Sequence, residues 1–166
     1  MSLLIDYRGY GKSRGKPDQQ GHYRDAAPAW GYLTEEKGIA ANDHILIFGR
    51  SLGGAVAARL ASGVQARGFA RAVFPLLSRL VLIRYDFNIA ENIQHVHYPV
   101  PVLHSPDDKI MPFHLGERVF QAAQQPKHFV RMQGDHNNGF LLSQPEYAQE
   151  FDRWLQGMQR TMQAPL

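Results

Sequence analysis

Gly49-Arg50-Ser51-Leu52-Gly53, followed by Gly54, sets one serine between glycines. Ahead of it lies a short apolar run, His44 to Phe48, rich in β-branched residues and too short to be a helix on its own. Behind it, "LGGAVAARLASG" reads as a helix whose small side chains let it lie close to a sheet. G-x-S-x-G between a buried strand and a helix is the pattern of a nucleophile elbow, in which a sharp turn holds the serine hydroxyl exposed at the end of the sheet. The flanking glycines are expected because a Cβ there would collide with the neighbouring strand or helix. The backbone N–H of Leu52, at the helix N-terminus, is the expected donor to a developing oxyanion.

A serine hydroxyl becomes a useful nucleophile only when a base takes its proton, and the base needs a partner to orient it. Downstream, "PVLHSPDDKIMP" offers Asp107 and Asp108 just after a strand ending at His104. "KHFVRMQGDHNNG" puts His136 on a polar loop after the next strand. His95 and His97 lie two apart without a third ligand at usable spacing, so no metal is expected. His104 is read as shaping the acid-bearing loop, and His22, His44, His114 and His128 as surface or element-edge residues.

Gly11-Lys12-Ser13 invites a phosphate-loop reading, which the spacing rejects. The earlier glycine of G-x-x-x-x-G-K-[ST] should be residue 6, and Asp6 stands there with a carboxylate. A net charge of +3 with scattered Lys and Arg does not describe a nucleic-acid surface. The chain has no cysteine, which excludes disulfides, thiol catalysis and cysteine-based zinc sites. The longest apolar run, Phe74 to Ile83, is too short for a membrane span and contains Arg79. The N-terminus lacks signal-peptide order, so a cytoplasmic protein is expected.

These residues need elements to position them. Strands are expected at Leu3–Asp6, His44–Phe48, from Pro99 to His104, and over 127–134. Helices are expected at about Tyr23–Glu36, over "LGGAVAARLASG", from Pro112 to before Pro126, and over "QPEYAQEFDRWLQGMQRTM". Pro28 requires the first helix to start late or bend. "FARAVFPLLSRLVLIRYDF" is apolar and ambiguous, part helix and part strand, with "LVLIRY" a strand candidate. Alternating strands and helices in 166 residues point to a single α/β domain with a mainly parallel sheet flanked by helices.

Taken together, D-Y-R-G-Y-G-x-S at Asp6–Ser13, G-R-S-L-G-G at Gly49–Gly54, H-x-x-x-D at His104–Asp108 and G-x-H at Gly134–His136 resemble the esterase-like branch of the α/β-hydrolase superfamily. The resemblance implies Ser51 as nucleophile, His136 as base and Asp108 as the orienting acid. It also implies hydrolysis of small or short-chain carboxylic esters through an acyl-serine, without a cofactor. The pattern departs from the family in two places. Strands ahead of the first motif, one of which leads to the loop giving the second oxyanion donor, have no counterpart here. A strand and loop after the elbow helix are also missing, so a reduced domain is expected. One expected outcome is that Leu3–Asp6 moves in beside His44–Phe48, so that backbone N–H groups of Tyr7–Gly11, Arg8 and Gly9 among them, supply the second donor. Another is a homo-oligomer formed through open sheet edges. The alternative function is a degenerate remnant that acts as an interaction module.

Overall fold

The computed structural model describes residues 1–40, 45–64, 70–75 and 89–163. Four parallel strands stand in the order β1 (Ile45–Phe48), β2 (Ala70–Pro75), β3 (Val100–His104), β4 (Lys127–Arg131). Between and around them run α1 (Gln19–Gly31), α2 (Leu52–Gly63), α3 (Ile89–Ile93), α4 (Phe113–Ala122), α5 (Gly139–Leu142) and α6 (Glu146–Gln163). This is the expected α/β architecture, except that the strand expected to be missing after the elbow helix is present as β2, which pairs with both β1 and β3. The ambiguous apolar run contributes β2 at Ala70–Pro75, while the rest of it, including "LVLIRY", lies outside the described residues. His44 lies outside them too.

Helix α1 starts four residues earlier than expected because Asp18 caps it, accepting the Gly21 N–H at 2.8 Å. Pro28 is inside it, and the helix widens into a π-type turn over Tyr32–Glu36. Helix α2 justifies its small residues: Ala55, Ala58 and Ala61 are fully buried, which lets the helix backbone approach the sheet. They pack with Ile45, Ile47, Ile93, Val96, Val100 and Val102 on one sheet face. On the other face Leu103, Val130 and Met132 pack against Phe140, Tyr147 and Phe151. Strand β3 is therefore buried along its whole length.

The expected first strand does not form. Residues 1–7 carry no regular structure, and Leu3, Leu4 and Ile5 are exposed. A strand exists only where a neighbour takes its ladder hydrogen bonds, and Leu3–Asp6 pairs with none among the described residues. Instead Leu3, Ile5 and Tyr7 share a groove with Trp30, Leu46 and Phe48. Among the described residues strand β1 stands at the edge of the sheet, with Leu46 and Phe48 exposed. Among the described residues, no helix is long and apolar enough to cross a membrane.

Candidate active site

Three residues separate β1 from α2, so the chain must reverse sharply over Gly49–Ser51. Ser51 takes φ 55° and ψ −123°, and it alone among the described non-glycine residues has positive φ. Such a conformation costs on the order of 1–3 kcal/mol and persists only where its surroundings enforce it. Here Gly53 N–H donates to the Arg50 carbonyl and Gly54 N–H to the Ser51 carbonyl, both at 2.9 Å. The two flanking glycines are not equivalent, which corrects the expectation that both avoid a collision. A Cβ on Gly49 would overlap the Gly53 carbonyl, whereas one on Gly53 would stand 3.7 Å from the Tyr7 hydroxyl, an ordinary contact. The Leu52 N–H, first in the helix, has no acceptor among the described residues.

The acid and base come from the ends of β3 and β4. After β3, Ser105 turns the chain: its Oγ accepts the Asp107 N–H at 3.1 Å and its carbonyl the Asp108 N–H at 3.3 Å. Asp107 is left exposed, while Asp108 is buried. Asp108 Oδ1 accepts the backbone N–H groups of Ile110 (2.9 Å) and Met111 (2.8 Å), which leaves Oδ2 directed at His136 Nδ1, 2.7 Å away. Beside a carboxylate, neutral His136 carries its proton on Nδ1 and presents Nε2 as an acceptor. That nitrogen lies 3.2 Å from Ser51 Oγ. The structure therefore brings Ser51, His136 and Asp108 into one hydrogen-bonded line and leaves Asp107 out of it.

The loop carrying His136 is tied within itself. Gly134 takes φ 82°, and Asp135 Oδ1 accepts the N–H groups of Asn137 (2.8 Å) and Asn138 (3.1 Å). Those two bonds hold the Asp135 carboxyl below the usual carboxylate range. His104, nearly fully buried, lies behind the acid with Nε2 3.5 Å from Asp108 Oδ2, too long for a good hydrogen bond. Burial pushes its imidazole below the usual histidine range, against the pull of Asp108, so it stays neutral near neutral pH.

The two backbone donors expected near the oxyanion fare differently. The Arg8 N–H donates to Asp25 Oδ2 at 2.8 Å, and Arg8 Nε and Nη2 also grip that carboxylate. Arg8 is therefore a peg for its loop, and its amide is already engaged. Gly9 takes φ 77° and packs against Pro17. From this segment it is the Tyr7 hydroxyl that approaches the elbow, beside Gly53.

Arg50 lies inside the elbow motif, yet its part could not be read there because its partners are 86 and 87 residues away. Its Nη2 donates to the carbonyls of His136 (3.2 Å) and Asn137 (3.1 Å). Its guanidinium stands over the Phe140 ring, 4.8 Å from the centroid. A cleft of about 250 Å³ runs beside Asp108 and His136, walled by Phe48, Leu103, Phe140 and Tyr147. His95 and His97 are exposed, and among the described residues no three His, Asp or Glu side chains are grouped to hold a metal ion.

No family model matches the chain. It is 36% identical over 153 residues to the uncharacterized protein Rv2307c of Mycobacterium tuberculosis, covering 84% of this chain and 54% of that protein. It is 29% identical over 149 residues to alpha/beta hydrolase domain-containing protein 17B of Xenopus laevis, covering 84% of this chain and 51% of that one. The chain thus spans about half the length of the curated relatives it matches. Among solved structures, an alpha-beta serine hydrolase homologue from Coxiella burnetii superposes with a TM-score of 0.64 at 23% identity, over 90% of this chain and 64% of that one. A parallel sheet flanked by helices, with these likenesses, defines the class: the chain has the α/β-hydrolase fold and is similar in sequence to α/β-hydrolase domain-containing proteins.

Proposed function

We propose that this chain is a serine hydrolase that cleaves carboxylic esters of small or short-chain acyl groups. The observation that carries the reading is the line Ser51 Oγ, His136 Nε2, His136 Nδ1, Asp108 Oδ2, with gaps of 3.2 and 2.7 Å. His136 takes the Ser51 proton as Oγ attacks the ester carbonyl, and the buried Asp108 carboxylate stabilises the imidazolium that forms. The oxyanion is met by the Leu52 N–H at the start of α2. Collapse of the tetrahedral species expels the alcohol, which takes the proton from His136. Water then repeats the sequence on acyl-Ser51, with His136 as its base. The cleft of about 250 Å³ beside His136 supports a small acyl or alcohol group. Gly9 remains the proposed second oxyanion donor.

The test is hydrolysis of p-nitrophenyl acetate and butyrate by the parent, Ser51→Ala, His136→Ala and Asp108→Asn. Activity above background in the parent, lost by roughly a thousandfold or more in each variant, is expected. Equal rates in all four proteins would sink the reading. A second reading, an interaction module, draws on the open β1 edge with Leu46 and Phe48 exposed. A second copy of the chain is its proposed occupant. Sedimentation showing a dimer that Phe48→Lys converts to monomer, in a protein without hydrolase activity, favours that reading.

A further inference from the structure

The proposed active site is assembled from separate turns at the ends of three strands of one sheet. Ser51 belongs to β1 and α2, whereas His136 and Asp108 belong to loops after β4 and β3. The bonds of Asp135 run within the His136 loop, and His136 Nδ1 is tied to Asp108. Among the described residues, the loop's hydrogen bonds to the elbow are of two kinds: the Ser51–His136 bond itself, and the two that Arg50 donates to the carbonyls of His136 and Asn137.

The first kind cannot serve throughout a reaction cycle. Once Ser51 Oγ is acylated it has no proton to give, and its hydrogen bond to Nε2 is gone. At that stage the base must stay over the acyl carbon to activate water, without its own contact to the serine. The Arg50 bonds are untouched by the chemistry: they run from a side chain that does not react to backbone carbonyls that do not react. One guanidinium nitrogen spans two successive carbonyls, and the ring of Phe140 supports the cation from below.

We propose that Arg50 is a positioning residue that straps the His136 loop to the nucleophile elbow and keeps the base in register through the acyl-enzyme stage. The assignment rests on the serine-hydrolase reading above and deepens it. It predicts a step-specific defect. In Arg50→Met, which keeps an unbranched side chain beside Phe140, acylation still has the Ser51–His136 bond to align it, and deacylation does not. With p-nitrophenyl acetate the variant therefore shows a burst of one p-nitrophenol per site. A steady state about 10- to 30-fold slower than the parent's follows, the value of two hydrogen bonds of ordinary strength. Arg50→Lys, with one donor group able to reach a carbonyl, recovers part of that rate.

A readout without turnover separates the strap from the chemistry. Hydrogen–deuterium exchange of the intact chain, followed in peptides covering 133–139, is expected to speed up about tenfold in Arg50→Met, while peptides from α2 keep the parent's rate. Faster loop exchange in a chain that hydrolyses no ester leaves the strap standing and sinks the serine-hydrolase reading. A parent that hydrolyses esters, with an Arg50→Met variant matching it in loop exchange, burst and steady state, does the reverse. Equal slowing of acylation and deacylation, with α2 exchange rising alongside the loop, makes Arg50 a general structural residue and overturns the proposal.

Discussion

The two halves of the candidate site are built to different standards of support. The acid and base leave β3 and β4; β3 is buried on both faces, and Asp108 accepts two backbone N–H groups besides its bond to His136. The nucleophile leaves β1, among the described residues an edge strand with one face covered and with Leu46 and Phe48 open to solvent. What holds Ser51 is therefore local: the steric fit of the turn to the start of α2, and the peg that fastens residues 7–11 alongside. The acid–base half draws its precision from the sheet and the nucleophile half from its own turn. Damage to the turn should consequently be felt more sharply than damage to the strand that carries it.

The largest effect is expected at Gly49. A Cβ there overlaps the Gly53 carbonyl, a backbone atom of the same turn with nowhere to retreat. Gly49→Ala should destabilise by about 3 kcal/mol and abolish hydrolysis, because relief requires opening the turn that enforces φ 55° at Ser51. Gly53→Ala, inside a helix and meeting only the Tyr7 hydroxyl at 3.7 Å, should be neutral or stabilising by up to about 1 kcal/mol. Urea denaturation of both variants checks the pair; similar losses would mean that the turn is not the feature that holds the nucleophile.

The contrast between the strands can be sharpened next. Val102 in β3 is completely buried, and truncating it to alanine should cost about 2 kcal/mol through lost burial and the cavity left behind. Leu46 in β1 is 41% exposed, and Leu46→Ala should fall within about 0.5 kcal/mol of the parent. A loss at Leu46 as large as that at Val102 would show that β1's outer face is covered in solution, by a second copy for example, and the comparison of the two halves would fail.

The same division explains what could be read from the residues. The elbow was legible because its physics is short-range: Gly49, Ser51 and the start of α2 lie within a few positions, and sterics between neighbours leave a mark in residue type. The choice of Asp108 over Asp107 came from family resemblance alone, since it depends on Ser105 turning the chain so that one carboxylate meets two backbone N–H groups and the other faces water. The strand expected at Leu3–Asp6 has the right composition and no partner, and a pairing absent from the sheet leaves no trace in the segment's own sequence. Arg50 and the Arg8–Asp25 peg act over separations of 86 and 17 residues, beyond the reach of any periodicity. For Arg8 this had a direct consequence: the amide expected at an oxyanion is committed to Asp25.

That peg gives the smallest effect, and its pH dependence has a definite sign. Hydrogen bonds from the Arg8 side chain, followed by the Arg8 backbone N–H and charge, hold the Asp25 carboxyl below its usual value of 3.8. The folded protein therefore binds that proton less readily than the unfolded chain. The resulting stability is fully present above the unfolded value and is lost as pH falls through the lower folded one. Asp25→Asn should be less stable than the parent at pH 7, with the gap closing as pH drops below 3.8. Both partners are partly open to solvent, so the gap should also shrink in 1 M salt. Thermal melts of parent and variant from pH 7 to pH 3, at two ionic strengths, test this directly. A gap that stays constant with pH would mean that the Asp25 charge contributes nothing to holding Arg8. The segment bearing Tyr7 would then be placed against the elbow by packing, with the Tyr7 and Tyr10 rings against His22.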